Sequence, residues 1–406
     1  MATTTTAAPS FAELYAKRQE MVSLHEAAAE GNVAKVTKLL DGGVPIDVVD
    51  TGDGCMALHR AAFRGRSDVV RLLLARGANV AAVDDEGCAP LHRAVERDHV
   101  HVAELLCPSA ATAASTPRNK RGETALHLAA KHGSKGVLKC MLQGCWTMPG
   151  AASQPPGEAA AGCDPSVDIE TVDAQGLTPL LSAAASEEGT GALRILLDGG
   201  ANVAHVGKYG DMALHLAVYH LASLSILLDH CTTEIVNAQD DQSGGGGLSA
   251  LHHAAHGGHT DALELLMKKG ANINAVSADG STPLRLAIDD AEVDAALWLL
   301  DHGADASIVA HDGKAPRDVA AARKSMRSLV ERMDALTSQR PAAPTTGATT
   351  EVAGGGRPEG ASSPTTTETT GDVRSAASDE RAVAGASLAL HEDQLVLGVK
   401  RPRRTT

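Results

Sequence analysis

Residues 251–259 read LHHAAHGGH, four histidines in nine positions. On a helix His252 and His256 stand at i and i+4 and share a face, the arrangement by which the histidines of an H-E-x-x-H helix hold zinc. No glutamate lies between these two, and Cys231, the cysteine that precedes them, belongs to no C-x-x-C pair, so the donor set of a zinc site is incomplete. Cys140 and Cys145 lack ligand spacing as well. A phosphate cradle or an activated nucleophile would announce itself as G-x-x-x-x-G-K-[S/T], G-x-S-x-G or the kinase signatures, and the chain carries none of them. We therefore expect no catalytic residues, no metal and no cofactor: a protein that is not an enzyme.

The elements that position His252 explain why it is there. Aligned on a leucine, LHEAAAEG (Leu24), MALHRAAFRG (Leu58), APLHRAVERD (Leu91), TALHLAAKHG (Leu126), TPLLSAAASE (Leu180), MALHLAVYH (Leu214), SALHHAAHGG (Leu251) and TPLRLAIDD (Leu284) follow at intervals of 34, 33, 35, 54, 34, 37 and 33 residues. KAPRDVA begins a ninth unit, with Arg317 where the leucine would stand. A period near 33 signifies supersecondary units that bury their faces against neighbours. His25, His59, His92, His127, His215 and His252 hold one position of the repeat, so His252 is one instance of a residue that recurs with the unit. His253, His256 and His259 fall on variable positions and read as a partner-facing, pH-sensitive patch.

Each unit reads as two helices. Thr178-Pro179 and Thr282-Pro283 supply an N-cap acceptor followed by a residue with no N–H to satisfy. Alanine pairs such as Ala61-Ala62 and Ala254-Ala255 permit close helix approach, and Gly31, Gly65, Gly133 and Gly258 stop the first helix. A leucine-rich second helix ends at Gly77, Gly200, Gly270 or Gly303, and DDEG, DAQG, SADG and AHDG supply turn chemistry between units.

The pattern T-P-L-H-x-A-A, glycine, leucine-rich helix, G-A-N/D and D-x-x-G resembles the ankyrin repeat over residues 22–336. The resemblance implies an all-α repeat solenoid: stacked helix-turn-helix ankyrin repeats with short β-hairpin loops that grip other proteins on a concave face. It also implies that the shared histidine bonds the turns of the stack, and that Asn79, Asn202 and Asn272, in G-A-N contexts, are similar to sites of asparaginyl hydroxylation. Residues 1–21 read as an N-terminal segment or cap, and PRDVAAARKSMRSLVERMDAL reads as a charged closing helix. Units five, six and eight replace motif residues (Leu181 and Arg285 for His, Leu221 and Ala291 for Gly) and should be the least regular.

The 54-residue interval contains a Pro/Gly/Ala-rich insertion at about 146–168, either a binding finger or a tolerated loop. The run DDQSGGGGLS suggests a kink before unit seven. Residues 337–386 are Ser/Thr/Pro/Gly-rich and expected to be a disordered C-terminal tail, because so few large apolar residues cannot offset ordering entropy. Residues 387–406 add a short apolar stretch and KRPRR, where Lys400, Arg401, Arg403 and Arg404 resemble a nuclear-import signal.

Composition narrows the function. Aromatics are 2% of the chain, which suits thin helices. No run of about 18 apolar residues and no secretory leader is seen, so a cytoplasmic or nuclear protein without a membrane span is expected. Seven scattered cysteines fit reduced thiols. Residues 340–406 carry eight Lys/Arg and eight Asp/Glu, which leaves 28 basic against 42 acidic residues in 1–339. An acidic body disfavours direct nucleic-acid contact and favours proteins with basic patches. The expectation is a monomeric scaffold or adaptor that binds through Arg64, Arg97, His132, Trp146, Tyr209, Tyr219 and His256, or alternatively a nuclear regulator similar to ankyrin-repeat inhibitors or cofactors of transcription factors.

Overall fold

In a computed structural model of the chain, residues 11–106, 118–143, 168–240 and 246–339 are described. The chain divides into two units after Val330. In the first, helices come in pairs: Phe11–Glu30 with Val33–Asp41, Ala57–Phe63 with Ser67–Ala75, Pro90–Val95 with Val100–Leu106, Ala125–Lys131 with Lys135–Gln143, Pro179–Ala184 with Thr190–Asp198, Ala213–Ala217 with Leu221–Leu228, Ala250–His256 with Thr260–Lys268, and Pro283–Asp289 with Val293–Asp301. First helices pack on first helices and second on second, giving two parallel rows. The row is unbroken from Ala125–Lys131 to Pro179–Ala184, which pack on one another although 144–167 separate them in sequence. Of the second unit only 331–339, the end of helix Arg327–Gln339, is described.

The rows are held by small and branched apolar side chains. Ala61, Ala62, Ala129, Ala130, Ala254 and Ala255 are fully buried, which brings helices close, while leucines such as Leu73, Leu193, Leu224 and Leu266 fill the space between the rows. Each buried leucine contributes about 1.5–3 kcal/mol.

The shared histidine joins one unit to the next. Nδ1 of His59, His92, His127, His215 and His252 accepts the N–H of Met56, Ala89, Thr124, Met212 and Ser249 at 2.9–3.3 Å, which satisfies a donor at the helix start. An accepting Nδ1 leaves the proton on Nε2. That N–H donates across to the following turn: His59 to the Cys88 carbonyl at 3.0 Å, His127 to Leu177 at 2.9 Å, His215 to Ala238 at 3.1 Å and His252 to Ser281 at 3.2 Å. His92 is the exception, its Nε2 having no partner among the described residues. Where the histidine is lost the bonds change: Thr178 and Thr282 accept the N–H of Leu181 and Arg285 on Oγ1, and in unit eight Arg285 itself donates to the Lys314 carbonyl at 3.1 Å.

The tips between units are tight Asx turns; they do not form paired strands. Asp84 Oδ1 accepts the N–H of Glu86 and Cys88, and Asp173 Oδ1 those of Gln175 and Leu177. Successive tips are joined by single backbone bonds, Asp85 N–H to Asp53 O at 3.1 Å and Lys120 N–H to Glu86 O at 2.9 Å. Among the described residues the one bridge of β type is Gln239 with Ser249. The hairpins expected from sequence are too short here to pair.

The structure also revises some element boundaries. The N-terminal cap and the first helix are one helix, Phe11–Glu30. The closing segment is not continuous: Pro316–Ala321 and Arg327–Gln339 are separated at Ala322–Arg323 and a single 3-10 turn. Unit six gains a short helix, Thr233–Val236, capped by Thr232. The insertion core, the glycine-rich residues 241–245 and everything from 340 lie outside the described residues, and with them the expected finger, kink and tail.

Among the described residues two other than glycine adopt positive φ, Asp98 at 53° and Ala291 at 64°, and both stand where sibling units have the helix-stop glycine. Asp98 is held there because its carboxylate accepts the N–H of Gly136 and Val137 from the next unit. Steric room separates the glycines themselves. At Gly133 (φ +63°) an added Cβ would lie 2.1 Å from the Glu188 carbonyl oxygen, whereas at Gly77 (φ +86°) it would meet nothing within 4 Å. Gly133→Ala is expected to lower the unfolding free energy by about 3 kcal/mol or more, Gly77→Ala by about 1 kcal/mol. Urea titration of both variants checks this, and equal losses would contradict it.

Candidate interaction surface

With the histidines committed to the stack, what remains for binding is the side chains that first helices and turns carry outward. At the position after the motif histidine, Arg60, Arg93 and His253 each bond carboxylates within the stack. Arg60 meets Asp50 and Asp53 at 3.0 and 2.8 Å, Arg93 meets Asp84, Glu86 and Glu96 at 2.7, 2.9 and 3.0 Å, and His253 meets Asp240 at 3.2 Å. His253 is 3% exposed, so it is an interior residue; the expectation that it faces a partner is corrected. Its burial follows from the Asp240 turn folding over it, Asp240 Oδ1 also accepting the Leu248 N–H.

Farther along each first helix, at its stop, the side chains do reach solvent. Arg64 and Arg97 are exposed and line one cleft with Phe63, Arg66 and His99. The Arg97 guanidinium sits over the Phe63 ring, 4.8 Å from its centroid. His132 is half-buried and its Nδ1 lies 3.1 Å from Glu188. His256 pairs with Asp290, whose hydrogen bond raises the imidazole pKa. Tyr219 is 37% exposed and stands edge-on to His259, with ring centroids 5.3 Å apart. Tyr209, 45% exposed, is on the turn before unit six, beside Lys208. Two groups thus come together, Arg64 with Arg97, and Tyr219 with His259. Trp146 and Lys400, Arg401, Arg403 and Arg404 lie outside the described residues.

Asn79, Asn202 and Asn272 are exposed, and each side-chain oxygen accepts the N–H two residues on, at 3.0–3.1 Å. Among the described residues no three His, Cys, Asp or Glu side chains form a group able to hold a metal. Burial pushes the Cys55 thiol up to about 12 and that of Cys88 to about 11, which disfavours the thiolate. No described helix is long and apolar enough to cross a membrane.

Sequence reasoning missed how the charge is distributed. Residues 22–143 hold 15 Lys/Arg and 14 Asp/Glu, whereas 168–318 hold 7 and 22, so the excess acid belongs to units five to eight. Glu187, Glu188 and Asp290 are exposed there. Counting charge unit by unit, instead of over the whole body, would have found this.

A family model described as "Ankyrin repeats (3 copies)" matches residues 24–117 and 230–310, and one described as "Ankyrin repeat" matches 121–148. The unmatched interval contains units five and six, where Leu181 and Leu221 replace motif residues, yet their helices pack in the same two rows. The chain is 28% identical to the B-cell lymphoma 3 protein homolog of Mus musculus over 271 residues, which is 65% of this chain and 47% of that one. It is 31% identical over 170 residues to the neurogenic locus notch homolog protein 1 of Homo sapiens (42% and 6%). It is 36% identical over 101 residues to the nuclear factor NF-kappa-B p105 subunit of Gallus gallus (24% and 10%). The chain therefore spans about half or less of the length of these relatives. From the repeat spacing, the two-row stack and these matches, the chain belongs to the ankyrin-repeat family.

Proposed function

We propose that this chain is a non-enzymatic scaffold or adaptor that holds a partner protein by a basic segment laid along units five to eight. The observation that carries the reading is the charge of that stretch, 22 acidic against 7 basic residues in 168–318, with exposed Tyr219 and half-buried His256 on the same row of first-helix ends. Ankyrin repeats are interaction modules, and stacked units present their variable residues in a fixed line. Carboxylates in a line attract Lys and Arg side chains from a distance and set the association rate, while aromatic rings supply the short-range anchor. The motif histidines serve only to keep the line rigid.

A labelled Lys/Arg-rich peptide tests this by fluorescence anisotropy with the full chain. Neutralising Glu187, Glu188, Asp290 and Glu292 together (E187Q, E188Q, D290N, E292Q) is expected to weaken binding about ten-fold or more at physiological salt, since each exposed pair contributes up to about 1 kcal/mol. Affinity that is unchanged in the neutralised protein would remove the electrostatic reading.

A second reading, a nuclear regulator that contacts a transcription factor and not DNA, is favoured by the similarity to B-cell lymphoma 3 protein and to a subunit of a nuclear factor, together with KRPRR at Lys400–Arg404. Both readings place the protein in cytoplasm, nucleus or both. Replacing Lys400, Arg401, Arg403 and Arg404 by alanine should abolish nuclear accumulation of a tagged full-length chain; an unchanged distribution removes this reading.

A further inference from the structure

The cleft between units two and three differs in sign from the surface just described. Its walls are Phe63, Arg64, Arg66, Arg97 and His99. The neighbouring cations, Arg60 and Arg93, are each neutralised by two or three carboxylates within 3.0 Å. Among the described residues neither Arg64, Arg66 nor Arg97 has a carboxylate within ion-pair distance. Arg66 is fixed by its Nε–H donating to the Ala29 carbonyl at 3.0 Å, and Arg97 by lying over Phe63 at 4.8 Å, so both guanidiniums are held with donors still turned to solvent. Repeat register sharpens the contrast. Arg64 and Arg66 in unit two, and Arg97 and His99 in unit three, occupy the positions that Asp290 and Glu292 hold in unit eight.

We propose that this cleft is a second docking site, for an acidic segment of a partner protein, whose Asp or Glu carboxylates pair with Arg64 and Arg97 while an apolar side chain rests against Phe63. A guanidinium offers a planar fork that matches a carboxylate bidentately, and one stacked on an aromatic ring keeps its edge free for that contact. Carboxylates are the complement because residues 22–143 supply no surplus of acid, 14 against 15 basic. Adjacent helices pack about 8–10 Å apart, which a segment in polyproline-II conformation covers in about three residues, its full turn, so that residues i and i+3 stand on one side. Acidic residues spaced by three therefore address neighbouring units. The acidic-segment site stands apart from the basic-segment reading of units five to eight: a partner with an acidic stretch followed by a basic one would lie along the stack in a single direction, but either site can bind without the other.

The test uses the full chain and a short fluorescein-labelled peptide with Glu at every third position and Leu between, followed by anisotropy. Binding is expected to weaken about ten-fold or more in the double variant Arg64→Ala/Arg97→Ala, less in Arg97→Lys, and to vanish for the peptide with Gln in place of Glu. Circular dichroism melting of the double variant, expected to be unchanged for exposed residues, separates lost binding from lost folding. Equal affinity of wild type and double variant, equal affinity for the Gln peptide, or tighter Arg64- and Arg97-dependent binding of single-stranded DNA would each overturn the proposal. The Lys/Arg-rich peptide run in parallel keeps the two sites distinct, because its binding is expected to survive the double variant and to fail only with the neutralised Glu187, Glu188, Asp290 and Glu292.

Discussion

Lowering the pH from 6.5 to 4 is expected to unfold the repeat stack. Burial drives the imidazoles of His92, His215 and His252 down from the ordinary 6.5 to about 4, and lowers His59 and His127 in the same direction. The native state holds each of these rings neutral, with Nδ1 accepting from the helix start, so a proton there breaks that bond. The unfolded chain takes up these protons near 6.5. Between 6.5 and 4 the unfolded state binds more protons than the folded one, and stability rises with pH through that window. It is fully present above 6.5 and lost as the pH falls toward 4. A difference of about 2.5 in pKa corresponds to about 3 kcal/mol for one such group, a large share of a domain's stability of about 5–15 kcal/mol, and the other four of these histidines act in the same direction. His256, raised by Asp290, works in the opposite direction, but it is a half-buried pair and offsets little. Thermal melts at pH 7, 5.5 and 4.5 should show a steep fall in midpoint, and a midpoint that does not move would contradict the neutral-histidine account.

The second large effect separates two arginines at the same repeat position. Arg93→Ala is expected to lower stability by about 3 kcal/mol, and Arg60→Ala by less than about 1 kcal/mol. The Asp84 side chain beside Arg93 is wholly buried, whereas Asp50 and Asp53 beside Arg60 are 32% and 45% exposed. Burial works to raise the Asp84 pKa, but the Cys88 N–H and the Arg93 guanidinium outweigh it and hold the carboxyl below its ordinary value. Removing Arg93 strands that charge, while removing Arg60 leaves carboxylates that water can solvate. Urea unfolding of each variant measures the difference. Adding Asp84→Asn to Arg93→Ala should recover part of the loss, and the same loss from both arginines would show that burial does not set the effect.

Much of the fold was legible because a stack repeats its own evidence. Six histidines, the alanine pairs and the glycines fall in register, and each is placed by a local need that recurs in every unit: a donor to satisfy, a close approach, a reversal of chain. Asp98 and Ala291 were harder to read, since they occupy a glycine position that only contacts with the next unit make tolerable for Asp98. The closing helix was read as continuous because its apolar spacing permits one, and nothing local signals the break at Ala322–Arg323. His253 looked like a surface residue because its partner, Asp240, lies across a turn whose length departs from the repeat. The candidate surface was less visible still. Arg60 and Arg64 are alike in sequence, and only the carboxylates that neutralise the first and miss the second tell them apart. The charge reversal between Arg64 and Asp290 emerges when equivalent positions are compared along the stack.

Hydrogen exchange of the full chain with and without the Lys/Arg-rich peptide tests the central claim most directly. A basic segment gripped by the acidic row should slow exchange in the first helices and turns between residues 179 and 301 and leave 57–106 unaffected. Slowing confined to 57–106, or spread evenly over all units, would contradict it.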